Sequence, residues 1–312
     1  MPGQSPTVEE LPTLPPRLSG DVLALAVVLA LTASFTVVEI IGGLLTGSLA
    51  LLADAGHMLS DNLSLGVALF AAWLAARPAT PAKSFGYRRA EILAALANGI
   101  TLVAISIWVF VEAYARLREP AEVLGTPMLA VATLGLLVNA AGAAILYRSG
   151  GESLNVEGAL RHVLADALGS VGAMAAAATI ILTGWRYADP LVSVAIGLLI
   201  LGSSWKLLRD STNILLEATP RGLNAGEVGQ KMAAAEGIVE VHDLHIWTIT
   251  SGFPALSAHV LVGRHEDCHA RRRELEELLT NEYGISHTTL QVDHVGDHYT
   301  SLQTLRFPSR LD

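Results

Sequence analysis

The chain runs in long apolar stretches divided by short polar breaks, and its character changes near residue 210. Stretches close to the roughly 20 residues that cross a bilayer fall at 21–45, 48–76, 90–117, 124–147, 155–184 and 189–208. The breaks carry turn residues: Thr46-Gly47-Ser48, the Pro-rich run from Arg77 to Lys83, Glu119-Pro120 with Thr126-Pro127, Ser149 to Glu152, and Gly184 to Pro190. This pattern predicts six transmembrane helices. Beyond residue 210 the periods shorten. Residues 226–237 have helical spacing, 239–249 alternate as a half-buried strand does, and 256–262 read as a second strand with Phe253-Pro254 marking the turn before it. Residues 267–283 form a charged amphipathic helix, and 288–295 alternate again.

The order helix, strand, strand, helix, strand predicts a small α+β domain of the ferredoxin-like kind. The expected architecture is therefore an α-helical membrane bundle of six spans followed by that domain. Its parts are a disordered arm at 1–20, the bundle at 21–208, and the α+β domain with a short tail at 209–312. The arm is Pro-rich and acidic, with no basic segment leading into an apolar run, so it does not read as a cleaved signal peptide.

Composition supports a membrane protein. Of 312 residues, 52% are hydrophobic and 16% charged, against about 25% charged in soluble domains. A net charge of −9 argues against a nucleic-acid binder. The single Cys268 excludes an internal disulfide and a CxxC metal site. Arg17, Arg77, Lys83, Arg88, Arg89, Arg148, Lys206 and Arg209 fall on one side of the predicted spans; Arg116, Arg118 and Arg186 fall on the other. That excess places both termini and the α+β domain in the cytoplasm.

Two apolar stretches contain the same polar spacing: His57-Met-Leu-Ser-Asp61 and His162-Val-Leu-Ala-Asp166. Residues four apart share one helix face. Ionisable groups at membrane depth cost roughly 2.5–3.5 kcal/mol each, so they have partners and tasks. One such residue serves as interhelical glue about as readily as anything else. Two matching pairs favour two imidazoles and two carboxylates around a tetrahedral Zn²⁺. Asp54, one turn before His57, is expected to support that site from behind its ligands or to admit the ion. Glu39 reads as structural, and Asn98 and Asn139 as interhelical hydrogen bonders.

Four ligands close a metal site, whereas catalytic zinc keeps a position open. These harder ligands exchange more readily than thiolates. They bind metal only when deprotonated, so uptake releases protons, and histidine titrates near neutral pH. A site that trades protons for Zn²⁺ is the core of an antiporter. A membrane metalloenzyme would want an HExxH pair, but Met58 follows His57 and Val163 follows His162. A receptor that binds metal without moving it differs from a transporter only in flux. The ligand set also accepts Cd²⁺ or Co²⁺.

Four segments, 51–61, 85–98, 155–166 and 241–247, closely resemble the cation diffusion facilitator family in its zinc-transporting branch. The likeness runs from about residue 20 to residue 295. It implies a homodimeric Zn²⁺/H⁺ antiporter in a membrane, with six spans and a cytoplasmic ferredoxin-like domain. The transport site would lie on the second and fifth spans, as His57, Asp61, His162 and Asp166. His at position 57 resembles the zinc-preferring rather than the manganese branch. The family's cytoplasmic metal site maps onto His242, His259, Gln291 and Asp293, with His269 near a matching position. Gln291 stands where some relatives have His, which implies weaker affinity. Independently, His242, His259 and Asp293 each sit on a predicted strand of one sheet. His245, His265, His287, His294 and His298 read as surface residues. The 147–155 loop lacks the His-rich insert of many relatives, the 77–83 loop offers no ligand, and Arg88 stands where His is frequent. The compact loops suggest a bacterial cytoplasmic membrane.

Overall fold

The computed structural model describes residues 18–75, 77–149, 154–295 and 306–308. The predicted arm up to residue 17, His298 and the last four residues lie outside them. Six long helices come first: α1 (Leu18–Thr46), α2 (Leu49–Ala75), α3 (Ala90–Arg118), α4 (Gly125–Ser149), α5 (Leu154–Thr183) and α6 (Ala188–Leu215). Among the described residues five of them, all but α2, are long and apolar enough to cross a membrane. Helix α2 is 27 residues long, and Asp54, His57, Asp61 and Asn62 interrupt its apolar run. Helix α6 continues past its predicted end at residue 208, because Leu207, Leu208, Ile214 and Leu215 keep helical spacing among its polar residues.

The described residues divide into two compact units, one of those up to 63 with those between 101 and 202, and one of those between 64 and 100 with those from 203 onward. In the first, α4 packs against α1 and α5. Small residues allow the close approach. A Cβ on Gly42 would lie 2.7 Å from Val131 Cγ2, and one on Gly135 would lie 2.7 Å from Phe35 Cζ. Ala50, Ala53, Ala132, Ala173, Ala176 and Ala177 fill the buried seam with Leu51, Leu102, Val109 and Met128. Large apolar residues such as Leu44, Ile107, Leu182 and Leu199 point outward, as lipid-facing residues do.

The first unit also contains a buried polar tie. Helix α2 starts directly after the tight turn at Gly47, where φ is 71°. Its first N–H groups have no partner within the helix. Asp189, at the start of α6, supplies one. Its Oδ1 accepts from Ser48 Oγ at 2.6 Å and from the Ala50 N–H at 3.2 Å; its Oδ2 accepts from the Leu49 N–H at 2.9 Å. Arg116 Nη1 lies 3.5 Å from the same carboxylate and also donates to the Gly47 carbonyl. A buried anion at a helix N-terminus satisfies the orphan donors and complements the helix dipole.

In the second unit, α7 (Ala225–Ala233), β1 (Ile238–Thr250), β2 (Phe253–Val262), α8 (Cys268–Tyr283) and β3 (His287–His294) follow the predicted order, and a short β4 (Arg306–Pro308) is added. The sheet order is β3-β2-β1-β4, with β2 and β3 parallel and the other pairs antiparallel. This is the expected α+β domain. One local expectation fails: Phe253 and Pro254 belong to β2, paired with Thr250 and Thr248, and the turn is Ser251-Gly252 with Gly252 at φ 71°. Proline is tolerated at the beginning of a strand, where no ladder N–H is needed. Helix α8 buries only Leu275 and Leu279, each of which contributes about 1.5–3 kcal/mol. Asp267 caps it by accepting from the His269 and Ala270 N–H groups, and those bonds hold its carboxyl below the usual carboxylate range.

Candidate metal centre

The two polar pairs meet between α2 and α5. Asp61 Oδ2 lies 3.5 Å from His57 Nε2 and 3.3 Å from His162 Nε2. Asp166 Oδ2 lies 3.5 Å from His162 Nε2. The imidazole rings are 6.0 Å apart, edge to face. One ligand atom from each of His57, Asp61 and His162 falls within 4.8 Å of the others, which among the described residues is the one such group of metal-ligating side chains. In a tetrahedral zinc site with bonds near 2.0 Å, ligand atoms sit about 3.3 Å apart. The observed spacings of 3.3–3.5 Å are close to that. His162 is 44% exposed and Asp166 is 2% exposed, so the cluster is open on one side and closed on the other.

Asp54 stands beside Asp166 and is not among the mutually close ligand atoms of the cluster. It hydrogen-bonds Glu39 of α1, and both carboxyls are buried. Gly169 of α5 leaves the room, because a Cβ there would lie 2.7 Å from Asp54 Oδ1. His57 Nδ1 has no hydrogen-bond partner among the described residues. Glu39, read from sequence as structural, therefore stands in a buried acid pair one helical turn from the histidine. Neither Glu39 nor the Asp189 tie is visible as an i, i+4 motif, because their partners lie on other helices. The only sequence signal for Glu39 was a lone acid in apolar surroundings, and Asp189 stood in a polar break.

In the α+β domain, His242 and His259 face each other across β1 and β2 with rings 5.4 Å apart. His242 is buried and lies 3.6 Å from Glu240 Oε1. Asp243, at a bulge with φ 52°, has Oδ1 3.1 Å from His245 Nε2 and Oδ2 3.8 Å from His259 Nε2. On β3, Gln291 pairs in register with His259 and donates to Asp293 Oδ2 at 2.8 Å. His269 sits in the first turn of α8, where its N–H binds the Asp267 cap. The structure thus joins His242 with His259, and Asp293 with Gln291. His287 and His294, read as surface residues, have contacts: His287 packs on Phe253, and His294 Nε2 lies 3.0 Å from the Glu266 carbonyl.

A bundle of apolar helices enclosing a His/Asp cluster, joined to a small α+β domain, defines a membrane protein that handles metal cations. The comparison with known families gives the particular one. Residues 25–216 match the cation efflux transmembrane domain, and residues 220–295 match the cation efflux protein cytoplasmic domain. The chain belongs to the cation efflux family, whose members are transporters rather than enzymes. It is 45% identical to the cadmium, cobalt and zinc/H(+)-K(+) antiporter of Bacillus subtilis over 83% of this chain and 85% of that protein. It is 41% identical to the metal cation efflux system protein CzcD of Cupriavidus metallidurans, covering 88% and 87%. It is 43% identical to the zinc transporter ZitB of Escherichia coli, covering 86% of each. The solved metal-bound C-terminal domain of a CzcD transporter is 32% identical over 22% of this chain and 97% of its own, with a TM-score of 0.22.

Proposed function

We propose that the protein is a proton-coupled antiporter that exports Zn²⁺ from the cytoplasm through a tetrahedral site of His57, Asp61, His162 and Asp166. The single observation that carries the reading is the Asp61 carboxylate, whose Oδ2 stands 3.5 and 3.3 Å from imidazoles on two different helices. Sharing that oxygen between two imidazole rings suits a cation at their centre. Both carboxylates must be free of protons and both imidazoles neutral for the ion to bind, so loading expels protons and reprotonation expels the ion. The names of the relatives, with cadmium, cobalt and zinc among them, support Zn²⁺ with Cd²⁺ and Co²⁺ as alternative cargo.

In this reading the bundle spans residues 21–208, both termini face the cytoplasm, and the chain is a homodimer in the bacterial inner membrane. A second metal position at His242, His259 and Asp293, with His269 nearby, is a regulatory one. Zinc flux into inside-out vesicles under an imposed pH gradient tests the function. Zinc accumulates when the lumen is acidic and stops when the gradient is collapsed. Flux that ignores the gradient sinks proton coupling, and stoichiometric zinc binding without flux favours a receptor.

A further inference from the structure

Asn139 is a buried polar residue that the proposed transport cycle has not used. It is 1% exposed in the middle of α4, and neither its amide nitrogen nor its amide oxygen has a hydrogen-bond partner among the described residues. Interhelical hydrogen bonding, the expectation from sequence, is therefore not what it does in this state. Buried amides without partners are rare, and each calls for an explanation.

Its neighbours follow from helix register. Helices α4 and α5 run antiparallel. A Cβ on Gly135 would lie 2.9 Å from Ser170 Oγ, and a Cβ on Gly142 would lie 3.5 Å from Val163 Cγ1. Gly135 and Gly142 therefore stand opposite positions 170 and 163. Asn139 is one turn from each glycine on the same α4 face, which sets it opposite position 166. Asp166 and Ser170 carry the matching deficits. Asp166 Oδ1 and Ser170 Oγ are both buried and both lack a partner among the described residues, while Asp166 Oδ2 faces His162. Three polar groups left open on one dry seam can satisfy one another: the Ser170 hydroxyl donates to the Asn139 oxygen, and the Asn139 amide donates to Asp166 Oδ1.

We infer that Asn139 is a positioning residue for the transported cation, closing on Asp166 Oδ1 when Oδ2 ligates the ion. The inference rests on the four-residue transport site proposed above. A neutral N–H donor suits this position. It steers the carboxylate's free oxygen without neutralising the charge that the metal needs, as a lysine or arginine would. Outer partners of metal ligands typically alter metal affinity by 10–100-fold when removed.

The test uses the full chain in proteoliposomes and in detergent, with Asn139→Leu, Ser170→Ala and Asp166→Ala compared. For Asn139→Leu, the KM for Zn²⁺ rises about 10–100-fold while kcat changes by less than about threefold. The metal-free melting temperature holds or rises, since leucine brings no open polar atom, and the stabilisation produced by added Zn²⁺ shrinks. Ser170→Ala moves KM in the same direction by less. An unchanged KM in Asn139→Leu overturns the inference. So does a metal-free chain that melts lower or fails to assemble, because Asn139 would then be a packing residue. Asp166→Ala separates the two readings. If it transports normally, the four-ligand site itself fails; if it is inactive and Asn139→Leu behaves as the parent, only the role of Asn139 fails.

Discussion

The bundle and the α+β domain each bring histidines and carboxylates together, but they do it differently. In the bundle, two helices each contribute a His and an Asp one turn apart, and one carboxylate oxygen reaches both imidazoles. In the α+β domain, the two facing histidines sit on neighbouring strands, one buried and one 37% exposed. The carboxylates there are already engaged, Asp243 with His245 and Asp293 with Gln291. In the first arrangement the three His–Asp spacings are close to those of a bound ion. The second needs side chains to leave existing partners, and it has a glutamine in register with His259. Under the proposed function, a site that loads and unloads an ion has its ligands held together in advance, whereas one that responds to metal concentration can be assembled by the metal itself.

That contrast sets the order of expected effects. Asp61→Ala and Asp166→Ala each remove one of the two carboxylates of the proposed transport site. Zinc flux falls by at least about 100-fold in both, since a ligand rather than its support is lost; near-parental flux in either removes that residue from the site. Asp189→Ala is next and acts on the frame rather than the ion. It strands the Ser48 hydroxyl and the first N–H groups of α2, while Arg116 keeps Glu112 and the Gly47 carbonyl, so thermal or denaturant unfolding shows a loss of about 1–3 kcal/mol. Unchanged stability would mean that the tie contributes nothing.

His242→Ala with His259→Ala has a smaller effect and a different signature. Flux at saturating Zn²⁺ drops by less than about threefold, under 1 kcal/mol, while the response of activity to low added Zn²⁺ flattens. A loss of flux as deep as that of Asp61→Ala would erase the distinction between the two regions. The smallest effect is at the α8 cap. The carboxyl of Asp267 is held below the usual carboxylate range by two backbone N–H groups. Its contribution is therefore fully present above the pKa of an unfolded-chain aspartate and is lost as pH falls through the lowered folded-state value. Acid titration of the full chain, followed by helical circular dichroism, shows a transition in that window that Asp267→Asn shifts.

Much of this was legible in the primary structure because helices write their burial and their motifs in short periods. The six helices follow the apolar runs, and both His-Asp pairs are visible at i, i+4. The α+β order was readable from alternation, although Pro254 read as a turn and belongs to a strand. What stayed hidden depends on tertiary distance. The partners of Asp189 at Ser48, Leu49 and Ala50 are about 140 residues away in the chain. The pairing of Glu39 with Asp54 needs α1 and α2 side by side, with Gly169 clearing space from α5. The three-residue β4 is too short to show a period. Asn139 looked like interhelical glue, and only the structure leaves its amide open.

X-ray absorption at the zinc edge, on the full chain loaded with one equivalent of Zn²⁺ and carrying His242→Ala and His259→Ala, tests the central claim most directly. The account predicts four light-atom ligands at about 2.0 Å, two of them imidazole nitrogens, with the imidazole scattering halved in His57→Ala. A sulfur ligand, a six-oxygen shell, or a spectrum indifferent to His57→Ala would contradict it.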